Sequence, residues 1–228
     1  MKKVYFILVL LINLSLGNAQ IYEIGVFGGG SNFIGDVGST KFITPNEIAI
    51  GGLIRWNRSP RHSYRASVIY TTMFADDNLS SDPRREQRGY YFSAKTLEIS
   101  TGIEFTFLDF NLHSGDFIFT PYIYTGISIL NHPNFYFQED SLVSEKLRSN
   151  AFGIPIALGA KFTLTEHFIF GMEIAARYTF TDEIDGSMPS SEELNYLKFG
   201  NINNNDWYVF SGFTLTYTFG RNPCFCSY

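Results

Sequence analysis

The chain has 228 residues, a formal net charge of −5, and a heavy aromatic load of 23 Phe and 14 Tyr. That length permits one domain or one barrel with elaborated loops, and the mild acidity argues against nucleic acid, which wants clustered basic charge. No segment after the N-terminus approaches eighteen uninterrupted apolar residues, which excludes a spanning helix in the mature chain.

Residues 1–19 read as a secretory signal peptide. Lys2 and Lys3 form its basic start, Val4 to Ile12 its apolar middle, and Gly17-Asn18-Ala19 a small-x-small cleavage site. A membrane anchor is the rival, but the apolar run is too short to span. Losing Lys2 and Lys3 moves the charge from −5 to −7.

From there the chain alternates apolar and polar side chains in stretches separated by links that run long, short, long, short. The pattern predicts strands at Ile21–Phe33, Glu47–Trp56, Ser63–Met73, Ser93–Phe107, Phe117–Leu130, Ala151–Leu164, Phe168–Phe180 and Asp206–Phe219. Short links fall at Asn57–His62, Leu108–Asp116 and Thr165–His167. Long ones fall at Ile34–Asn46, Phe74–Phe92, Asn131–Asn150 and Thr181–Asn205. Outer-membrane barrels put short turns in the periplasm and long loops outside, and an even strand count leaves both termini periplasmic. The fold class expected is therefore all-β: an eight-stranded antiparallel transmembrane β-barrel over residues 20–220. A short periplasmic tail at 221–228 follows. Thr40–Ile43 or Leu194–Phe199 could supply a ten-strand alternative.

A soluble lipocalin-like barrel would show the same alternation with its faces exchanged. The polar face decides between them: it carries Gly51, Gly102, Gly126, Gly153, Gly159 and Gly171 with sparse charges, not a solvated coat of Lys and Glu. Small residues suit a lumen that eight strands leave barely wide enough for side chains. Parity also puts Glu23, Glu98, Glu104 and Glu173 on that face with Arg55, Arg65, Lys161 and Arg177. Equal numbers of each sign imply a plug of ion pairs, because unpaired charges in a narrow lumen are costly to desolvate. The pairs are either structural or a proton or ion path. Pro121 and Pro155 fall inside strands, where a missing N–H belongs at a bulge or a strand end.

Chemistry is sparsely signalled. His62, His113 and His167 lie on short turns and His132 in a long link, with no metal-ligand spacing. His132, Asp140 and Ser141 are the raw material for a lipid-modifying hydrolase on the outer side, but no motif brings them together. No enzyme activity, metal or cofactor is expected. The GGGSNFIGD segment lacks the phosphate-loop pattern. Asp182, Glu183, Asp185, Glu192 and Glu193 of the last long link lack a calcium-loop pattern, so a solvated acidic loop is the default. In RWNRSPRHSYR, Arg58, Arg61 and His62 stand at the mouth of the first short turn. They suit lipid phosphate and solvent, or an acidic partner whose carboxylates match forked guanidinium groups. Cys224 and Cys226 in the tail form either a strained Cys-x-Cys ring or an intermolecular disulfide in an oxidising compartment.

The segments GVFGGGSNFIGDVG, RWNRSPRHSYRAS, TPYIYTGIS, RYTFTDEID and NDWYVFSGFTLTYTFGRNPCFC resemble the PorG family of the type IX (Por) secretion system. The resemblance implies an integral outer-membrane barrel associated with the periplasmic ring built from PorK and PorN. That machine exports cargo across the outer membrane and, in gliding bacteria, serves surface adhesin delivery. The expected function is then anchoring or positioning of the ring, with Arg58, Arg61, His62, Cys224 and Cys226 as candidate contacts and outer-membrane lipid as the surroundings. The alternative is a free-standing barrel acting as an adhesin or resistance protein through its outer loops.

Overall fold

The computed structural model describes residues 21–112, 117–139, 141–201 and 204–220. The signal segment, His113, Asp140, Cys224 and Cys226 lie outside the described residues. The strands are β1 (Ile21–Ile34), β2 (Glu47–Asn57), β3 (His62–Asp76), β4 (Tyr91–Thr106), β5 (Phe119–Gln138), β6 (Ser141–Thr163), β7 (Phe168–Thr179) and β8 (Trp207–Phe219). Each pairs antiparallel with its chain neighbours, and β8 closes onto β1 from Tyr22↔Phe219 to Ile34↔Trp207. Closure leaves no edge strand exposed around the wall. The protein is thus a closed eight-stranded antiparallel barrel, nearly all-β.

The ten-strand alternative is not realised. Thr40–Ile43 forms no strand, and Leu194–Phe199 falls largely in a single 3-10 turn at Glu192–Leu197. Neither segment has a neighbouring strand left to pair with once the eight have closed. The expected long link Asn131–Asn150 is also different: β5 and β6 continue through it as a hairpin ending at Gln138↔Ser141. A register shift between Pro133 and Phe135 lets that hairpin bend. The run of Asn, His and Pro there hid the strand, since those residues read locally as turn formers.

The two strand prolines sit where a donor is dispensable. Pro121 lies just past Thr106↔Tyr122, the last β4–β5 pair at the short-turn end. Pro155 falls at an interruption in the β5–β6 ladder between Thr125↔Ile156 and Ser128↔Gly153. Gly102 and Gly126 face each other across β4 and β5, and a Cβ on either would run into the partner strand's carbonyl at Thr125 or Thr101. Only glycine permits that approach.

The outer face is apolar on every strand, as Ile24, Ile50, Val68, Ile99, Ile127, Phe152, Ile174 and Phe213 show. On β4 it runs from Leu97 to Phe107. Ten residue steps at ~3.3 Å with a ~40° strand tilt give a band about 25 Å tall, the height of a barrel's lipid-facing belt. Aromatic rings gather at both ends of it. Trp56 packs on Tyr64 at 5.3 Å and Phe168 on Tyr217 at 5.4 Å at the short-turn end, and Tyr178 packs on Trp207 at 4.9 Å at the long-loop end. A continuous apolar exterior of this extent would not stay in water. No helix among the described residues is long and apolar enough to cross a membrane; the strands supply the crossing.

Candidate functional site: a filled lumen between two unlike ends

The strand alternation that turns apolar side chains outward turns Glu23, Arg55, Arg65, Glu98, Glu104, Lys161, Glu173 and Arg177 inward, where all eight are buried. They form two groups. In the larger, Arg55 donates through Nη1 to Glu23 and through Nε to Glu104, both at 2.9 Å. Lys161 Nζ reaches the other Glu104 oxygen at 2.7 Å. Arg65 forks onto Glu173 at 2.6 and 2.8 Å and lies 3.8 Å from Glu104, which joins the halves. Three carboxylates thus face three cations. In the second group Arg177 grips Glu98 through Nε and Nη2, each at 3.0 Å.

Neutral side chains fill the remaining valences. Asn57 and Thr216 both donate to Glu23 at 2.8 Å, Tyr122 donates to Glu173 and Tyr208 to Glu98, each phenol at 2.6 Å. Arg65 lies over the Tyr124 ring at 4.9 Å and Arg177 over Phe210 at 4.7 Å. Two nitrogens, Arg55 Nη2 and Arg65 Nε, have no acceptor among the described residues. Charge alone did not single out Tyr122, Tyr124 and Tyr208, although their parity with Thr120 and Phe210 already put them inside. Beyond the charges, Phe27, Ile69, Met73, Phe92 and Phe210 pack as an apolar layer across the bore. The lumen is therefore filled by side chains.

At the short-turn end the β2–β3 turn leans on the β4–β5 turn. Pro60 O accepts from Phe110 N and from Thr106 Oγ1, both at 3.0 Å. This leaves Arg58, Arg61 and His62 exposed. Arg61 pairs with Asp109, and His62 sits edge-on to Phe105 at 5.2 Å. The composition of the first turn gave no hint of Asp109, which comes from a different hairpin.

The long-loop end overturns the expectation of a solvated acidic loop. Asp182, Asp185 and Asp206 are buried, together with Asp36 and Asp77 from the first two long links; Glu183 is half-buried, and Glu192 and Glu193 are exposed. Backbone amides hold Asp36, Asp77, Asp185 and Asp206. Asp185 accepts from Asp36 N at 2.8 Å, Val37 N at 3.0 Å and Ser187 N at 2.9 Å, and Asp206 accepts from Ile184 N at 2.9 Å. The loop collapsed because it offers N–H groups that carboxylates cap, a contact invisible in composition. Among the described residues only Asp77 of these has a cation, Arg88, at 2.7 and 3.0 Å. Arg88 and Arg85 project from the short helix α1 (Pro83–Arg88) and also bind the carbonyls of Asp36, Gly35 and Gly38. Burial, and then the Asp185 and Asp36 charges, push Asp182 up to about 8. Burial also raises Asp185 and Asp206. Phe137 of the hairpin stacks on Tyr90 at 4.1 Å and Phe199 meets both rings edge-on, closing the mouth.

The hydrolase candidates are not assembled: His132 is buried opposite Ser149, while Ser141 is exposed at the hairpin tip opposite Gln138. Among the described residues no three His, Cys, Asp or Glu side chains are placed to hold a metal ion.

A closed barrel with a tall apolar belt, aromatic rims and a packed polar interior is the architecture of outer-membrane β-barrel proteins. The chain belongs to the family described as a domain of unknown function, DUF6089, whose pattern matches residues 2–228. No curated protein matches it in sequence. Among solved structures it is similar to the N-terminal β-barrel domain of Pseudomonas aeruginosa OprF, at 13% identity, TM-score 0.48, and coverage of 89% of this chain and 98% of that one. It is similar also to Yersinia pestis Ail, the attachment invasion locus protein, at 11% identity and TM-score 0.47, covering 88% and 99%. A major outer membrane protein of Thermus thermophilus shows 12% identity and TM-score 0.45, covering 89% and 100%.

Proposed function

We propose that this protein is a non-catalytic outer-membrane component of the type IX secretion system, of the PorG kind, anchoring or positioning the periplasmic PorK/PorN ring. The observation that carries the reading is the filled lumen. Ion pairs and an apolar layer occupy the bore, so exported cargo has no path through it and the work falls to the two ends. The resemblance of RWNRSPRHSYRAS and of the NDWYVF to CFC ending to PorG selects this machine among the roles open to a plugged barrel. In this reading the short turns and both termini face the periplasm. Exposed Arg58, Arg61 and His62 meet acidic side chains of the ring, and Cys224 or Cys226 forms a disulfide with a ring protein.

Two experiments bear on it. Deleting the chain from a secreting bacterium is expected to stop cargo export; normal export would end the proposal. Removing Gly220–Tyr228, or changing Cys224 and Cys226 to Ser, is expected to stop PorK and PorN from co-purifying while the barrel stays inserted. Undiminished co-purification would remove the tail from the contact.

A further inference from the structure

The barrel treats its basic residues in two ways. Arg55, Arg65, Lys161 and Arg177 point inward, and each has a carboxylate within 3.0 Å. Lys95 on β4 and Arg148 on β6 point outward and are exposed at the long-loop rim, with Lys146 beyond them near the hairpin tip. Among the described residues no carboxylate forms a salt bridge with Lys95 or Arg148.

Arg148 is held in place. The β4–β5 ladder ends at Leu97↔Asn131, and above it the Arg148 side chain crosses β5 to reach β4. Its Nε donates to Asn131 Oδ1 at 2.6 Å, and its Nη2 donates to Asn131 O at 3.1 Å and Lys95 O at 3.2 Å. The guanidinium is thereby fixed against the Lys95 backbone, so two exposed basic residues emerge at one height on the wall. Two such cations offer charge-assisted hydrogen bonds to an anion lying against the wall.

The height of the pair identifies the anion. Lys95 lies two residues beyond Leu97, the top of the apolar belt, which a ~40° tilt converts to roughly 5 Å, the level of lipid headgroups. Directly below are Leu97, Ile99, Ile127, Ile129 and Phe152, all exposed and apolar. A ligand that fits has acyl chains under a phosphate. We infer that Lys95 and Arg148 bind the phosphate of an outer-leaflet phosphorylated glycolipid, lipid A in kind, whose acyl chains lie on the β4–β6 wall. The choice of leaflet rests on the orientation proposed above.

The test uses the full-length protein folded in nanodiscs and titrated with bis-phosphorylated lipid A, read by native mass spectrometry. Lys95→Gln/Arg148→Gln, which removes both charge-assisted contacts, is expected to weaken binding by more than roughly tenfold. Lys95→Gln alone leaves the Arg148 bracket intact and is expected to weaken it several-fold. Lys198→Gln, in a loop, is expected to change nothing. Equal binding by wild type and double variant overturns the site, as does equal binding of lipid A stripped of its phosphates. Orientation is read separately, from antibody access in intact cells to an epitope inserted after Tyr196. A hidden epitope with charge-dependent binding defeats the orientation, and with it the outer leaflet. An accessible epitope with charge-independent binding defeats the glycolipid site alone.

Discussion

The middle of the lumen and the long-loop mouth both bury carboxylates, but they stabilise them by opposite means. In the lumen every carboxylate meets a cation, and the sums cancel within each group. At the mouth Asp185 and Asp206 have amide donors, and among the described residues Asp182 Oδ2 and Asp206 Oδ1 have no hydrogen-bond partner. Strand parity explains the first case: neighbouring strands bring side chains of one face to fixed heights, so opposite charges can be matched across the bore. Loop collapse explains the second. Backbone amides can solvate a carboxylate, but they leave its charge uncompensated, and burial then favours the protonated acid.

Three changes probe this contrast, the strongest first. Glu104→Gln takes from Lys161 its carboxylate partner and leaves Arg55 with Glu23 alone. Removing one partner of a buried pair typically costs about 3–5 kcal/mol, so the folded band should convert to the unfolded one at clearly lower temperature in a heat-modifiability gel. A melting point equal to wild type would mean that the pairing contributes little. Asp182→Asn should behave oppositely, since it fixes the neutral state that the mouth prefers.

The second probe is pH. The folded pKa of Asp182, about 8, lies above the ordinary carboxylate value, so the folded mouth holds a proton that the opened one releases. That contribution is fully present at acid pH, declines above the ordinary aspartate range, and is gone once pH passes about 8. Proteolysis within 182–200 should accelerate from pH 6 to pH 9, and Asp182→Asn should flatten the profile. A pH-independent rate in the wild type would contradict the burial of an ionisable acid there.

The smallest effect belongs to the exposed pair at the other end. Arg61→Ala removes its bridge to Asp109, in which both side chains are about half or more exposed. A surface ion pair contributes under about 1 kcal/mol, so melting should barely shift. Any loss of ring co-purification by this variant would then be read as a contact and not as unfolding.

Much of the barrel was legible from residues alone. Glu98, Ser100, Gly102 and Glu104 alternate with Leu97, Ile99, Thr101 and Ile103, and that period already assigned the inward and outward faces. The eight lumen charges could be named because parity is a local property. The pairing Arg65–Glu173 could not, since it joins strands 108 residues apart through the register of a closed sheet. The hairpin at 131–150 and the sunken aspartates escaped for a related reason. Asn131-His132-Pro133-Asn134 reads locally as a turn, and Asp182 and Asp185 read as solvated charge. Neither segment announces which distant backbone will satisfy it.

The sequence by itself determined an antiparallel barrel of eight or ten strands, its apolar exterior and a charge-balanced interior, because a two-residue period acts between immediate neighbours. Only the tertiary structure decided which charges pair, where the β4–β5 ladder ends beneath Arg148, and that the acidic loop turns inward. Those outcomes depend on hydrogen bonds between residues far apart in the chain, and such partners become adjacent only once the sheet has closed.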